Sequence, residues 1–303
     1  MLYNLNSGWG SLMAEGIAES AVAGGKVFVV ASSSHPQFQA LKELFIPDPE
    51  GLTRFYTTIT AALGACVANR GDIIYVAEGY TETESAAAGL AIGVAGVTII
   101  GLGNGTLRPT ISFSTSTAAT VTITAANVTL KNIGFDFTGI DALASGVVIS
   151  AANVSLVNCY AITANASGQA VLGVLTTAAA NNLLIDGCQF VGSSDAGTTA
   201  AVRIVGGDSI TIRNCYFLGA YTSGVGAIQG LTTDSTNLTI TNNTIVNLTA
   251  SATKAAVFTS GSTGIVAKNI CGIGSGAAPF TFAAGWWAGN WSAAAVGTNG
   301  TLV

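Results

Sequence analysis

The chain has 303 residues and a mass of 30.2 kDa, room for one large or two ordinary domains with a substantial core. Half of it is hydrophobic but only 8% is charged, against roughly 25% in ordinary soluble domains. Its ten basic residues stand singly in a chain of net charge −5, which excludes an electrostatic nucleic-acid binder, since that needs clustered Lys and Arg to release counterions.

Residues 1–51 carry no repeat and form an N-terminal arm or cap region. "MLYNLNSGWG" lacks the basic start and compact apolar run of a secretion signal, so synthesis in a cytoplasm is expected. "KVFVVAS" (Lys26 to Ser32) reads as a short strand and "PQFQALKELF" (Pro36 to Phe45) as a helix. Over 52–71, Phe55, Ile59, Leu63, Cys66 and Val67 recur at helical spacing and predict an amphipathic helix. It stands just before a repeated region whose open end needs a plug.

The repeat fills 72–275. "NVTLKNIGF" at Asn127 returns as "NVSLVNCYA" at Asn153, "NLLIDGCQF" at Asn182, "SITIRNCYF" at Ser209, "NLTITNNTI" at Asn237 and, more loosely, "GIVAKNICG" at Gly264. These anchors are 26, 29, 27, 28 and 27 residues apart, and two earlier copies begin at Asp72 and Gly96. Eight units at such a period mean a solenoid. One and three residues after each anchor the chain is apolar (Val128 and Leu130, Ile210 and Ile212), with Thr129, Ser155, Thr211 and Thr239 between. Alternation with β-branched residues is strand patterning.

Five residues after the anchor stand Asn132, Asn158, Asn214, Asn242 and Asn269, with Gly101 and Gly187 filling the gaps. Asn and Gly tolerate a left-handed backbone, so the column predicts one sharp bend per coil, with amides stacked as a ladder. Beyond it lie Ile133, Cys159, Cys188, Cys215 and Ile270, then Phe135, Phe190 and Phe217, read as stacked core. Parallel cysteine side chains on successive coils suit burial better than disulfide geometry. A third strand precedes each anchor, as in "TVTIT" and "GVVIS". The prediction is an all-β, right-handed, single-stranded parallel β-helix of about eight coils and three strands per coil, roughly 38 Å long at ~4.8 Å per coil.

Mean hydropathy is +0.57. The uncharged stretch Ala86 to Gly103 has the length of a membrane span, but glycines interrupt it and its second half belongs to the repeat, so no membrane is expected. In the tail, 276–303, Trp286, Trp287 and Trp291 read as cover for the last coil or as a subunit or capsid contact, with carbohydrate stacking as the alternative.

Chemistry is sparse. Glycosidases set two carboxylates ~5–9.5 Å apart, and the later coils offer only Asp136, Asp141, Asp186, Asp195, Asp208 and Asp234, with no Asp-Asp pair. Arg203, with Thr176 taken as its neighbour on the preceding coil, has no acid evident beside it for a lyase's base. Asp186 and Arg213 share an outward column as a surface ion pair. "GLGNG" (Gly101 to Gly105) has the wrong spacing for a phosphate loop and reads as a turn. Glu82 to Glu84 is the densest acidic group and reads as a solvated loop. The only histidine, His35, cannot make a Cys/His zinc site with cysteines that include no CxxC. Neither cofactor nor metal is expected.

"FYTTITAALGACVANRGDIIYVAEGYTETESAAAGL" (Phe55 to Leu90) followed by "GVTIIGLGNGTLRPTISF" (Gly96 to Phe113) resembles tailed-bacteriophage proteins with a pectate-lyase-like β-helix, the likeness extending from Lys26 to about Ile270. The resemblance implies a virion component made in a bacterial cytoplasm, without the motifs of the lyases and polygalacturonases. It implies a homotrimeric capsid decoration protein contacting the major capsid protein and a host surface glycan, or a tail spike that recognises or cleaves such a glycan.

Overall fold

Asparagine accepts the left-handed backbone that β-branched and bulky residues resist, and each of the five coils from Asn127 to Asn242 uses that conformation twice, whereas the predicted bend residue Gly101 does not adopt it. At the first corner Gly96, Asn127, Asn153, Asn182, Ser209 and Asn237 have φ from +53° to +75°. At the second Asn132, Asn158, Gly187, Asn214, Asn242, Lys268 and Gly289 have φ from +52° to +64°. Corner amides donate to the next coil: Asn127 to Ala152 O at 3.1 Å, Asn153 to Asn181 O at 2.8 Å, Asn158 to Asp186 O at 2.9 Å and Lys268 to Ala288 O at 2.8 Å. A computed structural model, which describes residues 24–49, 51–194, 197–274, 279–293 and 301–302, shows the result: a right-handed parallel β-helix of about nine turns. The predicted arm lies outside the described residues up to 23.

Three sheets of eleven, ten and eight strands run along the axis. In the first, Thr129–Lys131, Ser155–Val157, Leu184–Asp186, Thr211–Arg213 and Leu238–Thr241 pair in unbroken register. Leu130, Leu156, Ile185, Ile212 and Ile240 thus stack inward, each almost without solvent contact. Burial of each contributes about 1.5–3 kcal/mol.

Register departs from the sequence prediction at both ends. Gly264 pairs with Leu238, so Thr263 and not Gly264 is equivalent to Asn237. Ile74 and not Ile73 faces the core opposite Ile99. The strand Ile73–Val76 is buried on both faces, so it lacks the polar alternation that fixes register. The winding also passes residue 275: Ala284–Ala288 and Trp291–Ala293 continue the first two sheets as a ninth coil.

The expected helix over 52–71 is shorter, α2 (Ile59–Ala65), capped by Thr58 Oγ1 accepting from Ala61 N at 3.1 Å. Ile59, Ala62 and Leu63 close the core as predicted, but Val67 is exposed. The preceding Phe-Tyr-Thr-Thr is aromatic and β-branched, and it forms β2 (Phe55–Tyr56) on the edge of β1 (Val27–Val30). β1 in turn pairs with β3 (Ile73–Val76) and is followed by α1 (Phe38–Leu44). This β-α-β unit shields a second apolar cluster, Val29, Leu41, Phe45, Ile73, Tyr75 and Ile100, on the outer face of the first coils.

Asp72 ties these pieces together. Its fully buried carboxylate accepts from Lys26 N at 2.8 Å, Val67 N at 2.8 Å and Arg70 Nε at 2.6 Å. Glu82 and Glu84, expected in a solvated loop, lie on the strand Thr81–Glu84 paired with Thr110–Phe113, and Glu84 is buried. Glu82 accepts from Tyr80 Oη at 3.0 Å and from the backbone of Ile59 at the start of α2. Burial raises both carboxyl pKa values, and the Glu82 charge raises that of Glu84 further.

A raised carboxyl pKa means the fold holds its proton more tightly than the unfolded chain. The strain is absent below the unfolded value of about 4.3 and develops as pH rises above it. Replacement Glu84→Gln therefore raises the melting temperature at pH 7, with the gain shrinking to nothing in melts near pH 4; an equal gain at both pH values contradicts this account.

Candidate functional site

The sequence-predicted residues separate into an inner column, a bend column and a C-terminal face. The inner column runs Ile133, Cys159, Cys188, Cys215, Asn243, Asn269 and Asn290, all buried. Cysteine and asparagine do the same work here. Cys188 Sγ donates to Leu156 O at 3.3 Å and Cys215 Sγ to Ile185 O at 3.6 Å. Asn243 Nδ2 donates to Ile212 O at 3.0 Å, Asn269 Nδ2 to Ile240 O at 2.8 Å and Asn290 Nδ2 to Val266 O at 2.9 Å. Each side chain serves the carbonyl of the inward strand residue one coil earlier, just before its left-handed corner.

Asn269 therefore does not belong with Asn132, Asn158, Asn214 and Asn242. Lys268 holds the bend (φ +56°), and Asn269 faces the core. Its Oδ1 accepts from Asn243 N and Nδ2, both at 3.0 Å, and its Nδ2 donates to Asn290 Oδ1 at 3.0 Å. The predicted bend ladder has only the rung Asn158 Nδ2 to Asn132 Oδ1 at 3.4 Å, since Gly187 interrupts it and Asn214 turns to Asp186. A more regular ladder joins the first corners, Asn182 to Asn153 to Asn127, at 3.0 Å per rung. Ile270, predicted inward, is exposed, because the one-residue slip puts Asn269 in its column and pairs Cys271 with Ile245.

The thiols are structural. Neighbouring Cys188 and burial push the Cys159 pKa well above its ordinary value, and burial pushes Cys271 up to about 12. All five cysteines are free thiols. In the adjoining column Phe190 and Phe217 stack at 5.1 Å and 7°, while Ala161 separates them from Phe135, which stacks on Phe137 at 6.1 Å.

Four of the six carboxylates have structural partners, and Asp141 is exposed. Asp186 pairs with Arg213 (Nη2 to Oδ2, 2.8 Å) and accepts from Asn214. Burial works against its charge, but these bonds outweigh it and lower its pKa. Asp136 binds Thr138 N and Oγ1, Asp208 binds Ser209, Thr236 and Asn237, and Asp234 accepts from Gly261 N. Asp195 lies outside the described residues. Arg203 stacks between Leu175, not Thr176, and Gln229, to whose Oε1 it donates at 2.6 Å. In the "GLGNG" turn, Gly101 O and Gly103 O both accept from Asn132 Nδ2 at 2.8 Å. Among the described residues no group of three His, Cys, Asp or Glu is placed to hold a metal, and no helix is long and apolar enough to cross a membrane.

The C-terminal face is the candidate site. The outward column of the first sheet reads Thr129, Ser155, Leu184, Thr211, Thr239, then Ile265 and Trp286. The second sheet's outward column reads Tyr216, Thr244, then Ile270 and Trp291. Exposure is 79% at Trp286, 58% at Ile270, 52% at Trp291 and 47% at Ile265. Trp287 is anchored between Phe280 and Phe282, at centroid distances of 5.4 and 6.3 Å, and remains partly open. Trp286 and Trp291 thus face outward on the first and second sheets, while Trp287 points to the opposite face of its strand; sequence reading missed Ile265 and Ile270, which it had assigned inward. No known protein family, curated protein or solved structure matches the chain.

Two measurements test the columns. Replacing Asn269 by Ala leaves several buried groups unbonded at about 1–3 kcal/mol each, so it costs about 3 kcal/mol or more in denaturant unfolding. Replacing exposed Asn242 costs about 1 kcal/mol, and equal losses contradict the inward assignment. The native protein should also resist thiol modification at pH 8 at every buried cysteine, and react at all five only after unfolding.

Proposed function

We propose that this protein is a non-enzymatic structural component of a bacteriophage virion, a homotrimeric decoration or cement protein that reinforces the capsid. The carrying observation is the change in the outer surface at the last two coils. A first-sheet column that is Thr or Ser at all but Leu184, and a second-sheet column of Gln189, Tyr216 and Thr244, give way to Ile265, Ile270, Trp286 and Trp291, all about half exposed or more and flanking one corner. Soluble monomers seldom leave a contiguous apolar patch beyond a few hundred Å², and aromatic side chains dominate the centres of protein interfaces. This face is the contact between copies and with the major capsid protein or another virion protein. The viral setting rests on the likeness of Phe55 to Phe113 to phage β-helix proteins.

A tail spike that recognises or depolymerises host polysaccharide is the second reading, favoured by the exposed tryptophan rings, which suit stacking on sugars. Purified virions distinguish the two: a decoration protein occurs at a copy number comparable to the shell subunits, a spike in a few copies. A spike also clears host polysaccharide in a turbidity assay.

The purified chain should sediment at three times its 30.2 kDa mass. The double variant Trp286→Ser/Trp291→Ser should sediment as a monomer with an unchanged β-sheet spectrum. A monomeric wild type, or a variant that stays trimeric, refutes the assigned contact.

A further inference from the structure

A cleft of about 340 Å³ opens at the other end of the rod, near the lower limit of the roughly 300–1,000 Å³ typical of ligand sites. Its walls follow the carboxyl ends of three adjacent parallel strands. Ser32, Ser34, His35 and Gln37 come after β1, Glu78 after β3, and Leu107 from the short turn after Thr98–Gly101. Crevices at the carboxyl ends of parallel strands recur as ligand sites. Leu107 is fixed there because its carbonyl accepts from Gly79 N at 2.7 Å.

The polar groups are set for a ligand with a particular chemistry. The His35 side chain is 6% exposed, and its Nδ1 accepts from Gln37 N at 3.2 Å. The ring proton is therefore on Nε2. This tautomer cannot ligate a metal through Nε2, and the same hydrogen bond denies Nδ1 the role of a general base. Nε2 faces Glu78 Oε1 at 3.8 Å, beyond direct hydrogen-bond reach. Gln37 also lines the cleft, with its side-chain oxygen buried and without a partner. One donor, His35 Nε2–H, thus stands opposite one acceptor, the Glu78 carboxylate. Pro36 and exposed Leu107 supply an apolar wall, and no Lys or Arg lines the cleft.

We propose that this cleft binds a neutral pyranose sugar unit. A hydroxyl accepts from His35 Nε2–H and donates to the Glu78 carboxylate, spanning the gap between them. The C–H face of the ring packs on Leu107 and Pro36. Anions are excluded by Glu78 and by the absence of a basic partner.

His35 is the only histidine, so its imidazole gives a single resonance set in a nitrogen–proton NMR spectrum. Titrating the full chain with methyl glycosides of the common hexoses should move that signal saturably for at least one of them, and equimolar phosphate should not. Glu78→Gln, at a partly exposed position, should weaken binding about ten-fold, the loss of one charged hydrogen bond. No shift with any glycoside up to its solubility limit overturns the proposal, and so does an equal response to phosphate. The wild-type titration decides the matter even if the variant fails to fold.

Discussion

The central five coils depend on holding two residues per coil in the left-handed region at the same place, and the rest of the stack builds on them. Backbone hydrogen bonds between coils exist only if the corners superpose, because a strand displaced by one residue turns its core face outward. Superposition puts corner amides opposite carbonyls of the next coil, as Asn158 N opposite Asp186 O. The corner residues are thus selected twice, for a conformation that costs most residues about 1–2 kcal/mol and for an amide that can stack. Where stacking is not used, Gly187 and Lys268 serve instead.

Superposed corners create a second requirement. The carbonyl of the last inward residue before each second corner, from Leu130 onward, meets the core and needs a donor there. In the middle coils a thiol provides it, a weak donor that otherwise packs as a small hydrophobe. In the last coils an amide provides it and also bonds its neighbours through Asn243, Asn269 and Asn290. This replacement accompanies a change in the adjoining column, where Phe190 and Phe217 give way to Ile245, Cys271 and Ser292. Aromatic packing passes to Phe258, Phe280 and Phe282 in the last coils, beside the hydrogen-bonded amide column.

The solenoid was legible because its signal is repeated. Any one of the phrases starting at Asn127, Asn153 or Asn182 is ambiguous, but their columns leave little freedom. Register failed where repetition is diluted. At Ile73 both faces are apolar, and in "TNNT" and "AKNI" the bend and the inward position adjoin, so that Asn243 beside Asn242 and Asn269 beside Lys268 could be assigned either way. The cleft was invisible for a different reason. His35 and Glu78 meet only because β1 joins the sheet next to β3, a pairing made by one short strand outside the repeat. Likewise, the exposure of Ile265 and Ile270 follows from a slip of one residue.

The two ends of the rod solve the open-edge problem differently, and this separates their roles. A stacked coil presents unpaired backbone groups wherever the stack stops. At the N-terminal end the chain covers itself, with β1 and β2 extending the first sheet and α2 laid over the core. That closure builds fixed walls, and polar side chains collect between them. At the C-terminal end, among the described residues, the second sheet alone gains a closing strand, the antiparallel Thr301–Leu302. The first sheet ends at Ala284–Ala288, which has no further strand beside it among the described residues and carries Trp286 and Trp287. Water solvates an open edge well and exposed indole poorly, and this contrast is the physical ground on which the proposed contact at this end rests.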